Sequence, residues 1–340
     1  MTVQTIEKIN AAPVAENPLE QLSVLLDGDM RHVNALILEN MQSDVALIPK
    51  LAQYLIAAGG KRIRPLLTLA STAMFNGPME KSYHLAAAVE FIHTATLLHD
   101  DVVDESYERR GQKAANLVFG NQASVLVGDF LFSKAFQMMV KSESFEILNI
   151  LSGASAIIAQ GEVLQLITTN DIDTNMASYL EVIESKTAAL FSASCEVGAV
   201  LSQQDKATTK ALYDYGLNLG NAFQIIDDAL DYAADQVKLG KEIGDDFKEG
   251  KMTAPVIFAL QHANDDEKEF WARTLGEKQQ NDGDFETALT IIQRHDALTK
   301  TLDLAKTYAS QARNALKTAP DNQYKVLLSE LCDYVITRSF

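Results

Sequence analysis

From residue 18 onward one pattern dominates the chain. Apolar residues return at intervals of three and four, and runs that alternate every second residue are missing. The stretches "LEQLSVLLDGDMRHVNALILENM" and "VALIPKLAQYLIAAGG" show the spacing of amphipathic helices, the second stopping at Gly59 and Gly60. The same spacing predicts helices over about 63–75, 82–105, 115–141, 144–168, 175–203, 206–233, 252–263, 283–317 and 322–337, and no strand. Two of them, "HLAAAVEFIHTATLLHDDVVD" and "LYDYGLNLGNAFQIIDDALDY", are apolar over most of their circumference, as helices at the centre of a bundle are. Each ends in aspartates, which places carboxylates at one mouth of an apolar interior.

No segment rich in Pro, Gly or Ser divides the chain. Residues 1–17 read as a tail and residues 18–340 as one all-α domain, a helical bundle around a central apolar cavity. Composition agrees: seven prolines and seventeen glycines leave long uninterrupted stretches, and 47% apolar residues suffice for a large core. The formal charge of −17, from 29 basic and 46 acidic residues, would repel a phosphate backbone and argues against a nucleic-acid partner. Two distant cysteines, Cys195 and Cys332, suggest buried apolar residues in a reducing compartment, not a disulfide framework. The first residues lack a basic and apolar leader, and no window of eighteen residues reads as apolar enough to cross a bilayer. The expectation is a cytoplasmic protein without a transmembrane segment.

Local charge is more informative than the total. Asp100, Asp101 and Asp104 form D-D-x-x-D at one helix end, and Asp227, Asp228 and Asp231 repeat it at another. On a helix, residues i and i+4 share a face with i+1 alongside, so each cluster aims carboxylates one way. Hard oxygen ligands facing each other suit Mg²⁺, which binds through a few carboxylates, waters and substrate phosphates. One such cluster is an ordinary solvated helix end; two behind apolar runs are not. Basic residues gather near glycines: Lys61, Arg62 and Arg64 in "GGKRIRP", Arg109 and Arg110 after the first cluster, Lys186 with Thr187 in "ESKTAALFSAS", and Lys241 and Lys251 in "LGKEIGDDFKEGKMTAPV". In a chain short of positive charge, this grouping suits phosphate. His93, two turns before the first cluster, fits a packing residue or a neutral donor to a phosphate.

The ordered motifs "GGKRIRP", "HDDVVDESYERRG", "SKTAALF", "GNAFQIIDDALDY" and "GKEIGDDFKEGKMTAPVI" resemble the trans-polyprenyl diphosphate synthases over about residues 40–260. The surroundings of the first cluster look most like the long-chain, octaprenyl branch. The resemblance implies an isoprenoid-synthase bundle and a homodimer. It implies two or three Mg²⁺ ions held by Asp100, Asp101, Asp104, Asp227 and Asp231, with Asp228 and Lys186 among the catalytic residues. Lys61, Arg64, His93 and Arg110 would bind isopentenyl diphosphate; Arg109, Lys186, Thr187, Gln224, Lys241 and Lys251 would face an allylic diphosphate. Short-chain members carry bulky aromatics four or five positions before the first aspartate. Here Thr96 and Ala95 are small, and Phe91 and Ile92 lie a turn deeper, which with the long-chain flanks favours a product near C40 for a quinone side chain, while C30 or C50 would need only a different tunnel floor. A class I terpene cyclase would not need the second cluster or the "GGKRIRP" cations. A non-catalytic regulatory subunit would be expected to have lost one cluster.

Overall fold

The structure is a computed structural model that describes residues 17–57, 59–109, 111–233 and 243–337. Helices α1 (Pro18–Leu25), α2 (Asp27–Asn40), α3 (Leu47–Ala57) and α4 (Ile63–Met74) precede the 25-residue α5 (Met79–Val103). A short hairpin follows, β1 (Glu108–Arg109) antiparallel to β2 (Gln112–Lys113) with Arg109 opposite Gln112. After it come α6 (Ala115–Phe119), α7 (Asn121–Val140), α8 (Phe145–Thr168) and α9 (Met176–Ile183). A π-helical turn, Glu184–Ala188, joins α9 to α10 (Ala189–Leu201), and α11 spans Lys206–Asp231. The chain continues through α12 (Asp245–Glu249), α13 (Ala254–Leu260), α14 (Asp265–Trp271), α15 (Asp284–Arg294), α16 (Ala297–Ala315) and α17 (Gln323–Thr337).

The helix starts follow local chemistry. Asn17, Ser144, Asn175 and Asp205 cap α1, α8, α9 and α11 by accepting from exposed first-turn amides, and Asn264 with Glu267 forms a reciprocal capping box on α14. The all-α expectation holds apart from the two-residue hairpin, too short to show an alternating pattern. One or two residues split helices that the spacing predicts as continuous. Leu26 interrupts 19–41, Gly120 at φ 87° separates α6 from α7, and His295 with Asp296, the latter at φ 51°, separates α15 from α16. The short α12 and α14 have no apolar period long enough to read.

The expectation that no window of eighteen residues is apolar enough to cross a bilayer does not hold. Helices α7 and α8 are long and apolar enough to cross a membrane by length and composition, with mean hydropathy 1.3 and 1.5. Here α7 packs on α5 and α8 on α10, yet only 39% and 28% of their apolar windows are buried. Leu126, Phe145, Leu166 and Ile167 stand exposed on them.

Two apolar clusters form the core. The larger joins α1–α8, α10, α17, the first half of α11 and the end of α16; the smaller joins α9, α12–α15, the second half of α11 and the start of α16. Helix α11 therefore belongs to both, through Leu212, Tyr215 and Leu219 on one side and Ile225 and Ile226 on the other. Its fit is close: a Cβ on Gly220 would stand 2.6 Å from the Ala188 Cα, so only glycine lets α11 lie against the π-helical turn. The second aspartate cluster lies in the half of α11 that packs into the smaller cluster, between Ile226 and Tyr232.

Candidate active site

The ends of α5 and α11 open into one cleft of about 690 Å³, lined by Asp100, Asp104 and Asp227. Lys186 and Thr187 enter from the π-helical turn, in which the Ala189 N–H reaches back five residues to the Glu184 carbonyl. Such a turn adds one residue to the helix and shifts the side chains that follow around its axis. It is braced from below by α8, where a Cβ on Gly161 would meet the Lys186 backbone nitrogen at 2.8 Å. Lys61, Arg64, His93, Thr96, Arg109, Gln224 and Lys251 complete the wall assigned from the motifs. Arg110 and Lys241 lie outside the described residues.

Within the cleft two lysines already face carboxylates. Lys186 Nζ is 2.7 Å from Glu162 Oε2 and 3.7 Å from Asp100 Oδ2. Lys251 Nζ is 3.5 Å from Asp104 Oδ2 and also contacts Glu249. Arg109 Nε donates to Asp101 Oδ1 at 2.6 Å, tying the hairpin to α5 and turning Asp101 out of the main cleft. Arg62, at φ 49°, opens α4 and pairs with Glu90, a carboxylate only 7% exposed within an apolar helix. The Arg64 guanidinium sits 4.6 Å above the Phe191 ring. Thr96 reaches the cleft, whereas Ala95 and Ile92 are core residues and Phe91 lines an adjoining cavity between α2, α3 and α5.

The second cluster does not present three equivalent ligands. Asp227 faces the cleft. Asp228 is 5% exposed and accepts from Tyr179 Oη at 2.6 Å and Gln224 Nε2 at 2.8 Å. Asp231, expected among the metal ligands, instead takes the amides of Gly244, Asp245 and Asp246 at 2.9, 3.2 and 2.9 Å. It caps α12, because a carboxylate one turn beyond Asp227 meets the free N–H groups of that helix start first. Among the described residues no three Asp, Glu, His or Cys side chains converge to hold a metal unaided. The donor set still fits Mg²⁺: single carboxylates on opposite helices leave room for the waters and phosphate oxygens this ion keeps.

Residues 45–292 match the family described as polyprenyl synthetase. This chain belongs to that family. It is 42% identical over 322 residues to an octaprenyl diphosphate synthase of Haemophilus influenzae, covering 95% of this chain and 98% of the relative. A polyprenyl synthase from Caulobacter crescentus, solved with calcium and isoprenyl diphosphate, is similar at 51% identity and TM-score 0.91, covering 96% of this chain and 99% of that one. A decaprenyl diphosphate synthase from Rhodobacter capsulatus is similar at 48% identity and TM-score 0.90, covering 94% and 99%. The expected all-α fold and the prenyltransferase class both hold for this member of the family.

Several residues of the synthase cleft escape the motif reading. Glu90 is a single polar residue in an apolar stretch, whereas Glu162, near Gln160 and Gln165, and Tyr179, in the adjoining cavity, carry no distinguishing pattern in the chain. Burial raises the carboxyls. Glu162 is pushed from 4.5 up to about 7, chiefly by desolvation against the pull of Lys186. Desolvation likewise pushes Asp228 from 3.8 to about 7, opposed by the hydrogen bonds from Tyr179 and Gln224. Asp100 and Asp101 are raised for the same first reason. Burial pushes both cysteine thiols up to about 12, which makes neither a nucleophile.

A folded-state value above the unfolded one means that the protonated form favours folding. The contribution of Glu162 and Asp228 is complete below about pH 4 and is lost as pH rises through about 7. Melting temperature of the ligand-free protein should therefore fall more between about pH 5.5 and 8 in the parent than in Asp228→Asn. Equal falls, measured by calorimetry on both proteins, would contradict the assignment of these shifts to the cleft.

Proposed function

We propose that this chain is a long-chain all-trans polyprenyl diphosphate synthase that adds isopentenyl diphosphate repeatedly to an allylic diphosphate, with a product near C40. The observation that carries the proposal is the single cleft in which carboxylates from the ends of α5 and α11 face Lys186 and Lys251. Asp100 and Asp104 from one side and Asp227 from the other would hold two or three Mg²⁺ ions with the allylic diphosphate between them. Bound there, Mg²⁺ supplies charge neutralisation to the departing diphosphate.

The chain's own residues do the rest. Lys186 and Lys251 exchange their resting carboxylate partners for diphosphate oxygens, so the cations are already in place when substrate arrives. Lys61, Arg64 and His93 line the same cleft and would receive the second diphosphate, joined by Arg110. This orients the isopentenyl double bond toward the allylic carbon. Ionisation of the C–O bond leaves an allylic cation, the double bond attacks it, and the released pyrophosphate takes the proton. Thr96, small and on the cleft wall, leaves space for a chain to extend, and octaprenyl synthases at 42% and 43% identity support the length. A cytoplasmic site and a quinone side chain are the accompanying expectations.

Incubation with Mg²⁺, farnesyl diphosphate and labelled isopentenyl diphosphate should give a ladder that ends near eight isoprene units. A cyclic hydrocarbon from one substrate would overturn the reading, and a ladder ending at C15 or C20 would overturn the length. The exposed apolar face of α7 and α8 supports a homodimer. Leu126→Glu with Ile167→Glu should move the sedimentation coefficient from dimer to monomer, and an unchanged dimer would exclude this face.

A further inference from the structure

Asp227 and Asp228 are adjacent and identical in type, yet they face different surroundings. Asp227 lines the cleft, while Asp228 lines an adjoining smaller cavity with Tyr179, Val182, Ile183 and Met252, and the two spaces share Lys186, Thr187, Gln224 and Lys251. Both oxygens of Asp228 are engaged: Oδ2 by the Tyr179 hydroxyl at 2.6 Å and Oδ1 by Gln224 Nε2 at 2.8 Å. Gln224 Oε1 in turn accepts from Thr187 Oγ1 at 2.9 Å.

This chain of bonds has a direction, and the carboxylate sets it. Asp228 accepts at both oxygens, so the Gln224 amide turns its NH₂ toward Asp228 and its carbonyl toward Thr187. The Thr187 hydroxyl then spends its proton on that carbonyl and offers the cleft only lone pairs. What Gln224 retains for the cleft is its second N–H. Tyr179 holds the far end: 3% exposed and packed in the smaller apolar cluster, it has one proton and gives it to Asp228.

We propose that Tyr179 is a positioning residue for the allylic diphosphate, acting through Asp228 to fix the orientation of Gln224 and Thr187, and that Asp228 serves this purpose and is not a metal ligand. The inference rests on the function proposed above. Removing the tyrosine hydroxyl leaves a buried carboxylate oxygen without its donor, and Asp228 must turn to satisfy it. Gln224 and Thr187 turn with it, while Lys61, Arg64 and His93 are untouched.

The test compares the parent, Tyr179→Phe, Asp228→Asn and the double variant. Calorimetry with Mg²⁺ and the slowly ionising farnesyl thiodiphosphate gives Kd, and steady-state assays give KM for isopentenyl diphosphate. Tyr179→Phe should raise Kd for the thiodiphosphate about tenfold and leave KM for isopentenyl diphosphate within about twofold. The double variant should bind no more weakly than Asp228→Asn alone, because both act through one chain of bonds. An unchanged Kd, equal rises for both ligands, or additive losses would overturn the proposal. If Tyr179→Phe does not fold, Asp228→Asn decides: its Mg²⁺ half-saturation should stay at the parent value, and a rise matching that of Asp227→Asn would overturn the proposal. A parent that makes no polyprenyl product would instead remove the functional reading beneath it.

Discussion

A helix is already negative at its C-terminus, where the last carbonyls lack partners, and carboxylates there add to the cost. Helices α5 and α11 both finish in aspartates, and both open into one cleft. The other charged groups of the cleft answer this concentration of charge. Lys186 lies between Asp100 and Glu162, Lys251 beside Asp104 and Glu249, and Arg109 against Asp101. The compensation is local and incomplete, which is why burial still raises Asp100, Asp101 and Glu162. A cleft balanced in this way is prepared for ligands that bring both signs, a divalent cation together with a diphosphate.

The fold holds these charges in place by close packing. Helix α11 joins the two apolar clusters, so the level of Asp227 and Asp228 follows from how both cores pack. The π-helical turn delivers Lys186 and Thr187 to the cleft, held between Gly161 of α8 and Gly220 of α11. A methyl group at either glycine would collide with backbone atoms of that turn, and interiors packed this tightly transmit such collisions to the side chains beyond.

Much of this was legible in the chain. The long helices follow from their apolar period, and both aspartate clusters and their nearby cations follow from residue type and spacing. What stayed hidden depended on orientation within a turn. Asp227, Asp228 and Asp231 look equivalent in one dimension, yet one faces the cleft, one binds Tyr179 and Gln224, and one caps α12. Ala95 and Thr96 look alike as small residues, but only Thr96 reaches the cleft. Glu90 gave no signal beyond a polar letter in an apolar run, and Glu162 gave none, because their partners, Arg62 and Lys186, lie far off in sequence. The apolar length of α7 and α8 is masked in the chain by glycines and scattered polar residues.

The central claim is that carboxylates from α5 and α11 grip one metal–diphosphate unit between them. Crystals grown with Mn²⁺ and farnesyl thiodiphosphate would locate the ions by their anomalous scattering. Peaks should touch oxygens of Asp100 or Asp104 on one side and Asp227 on the other, with the diphosphate between. Ions on Asp228 or Asp231, or a bound diphosphate whose ions touch only one of the two helices, would contradict the account.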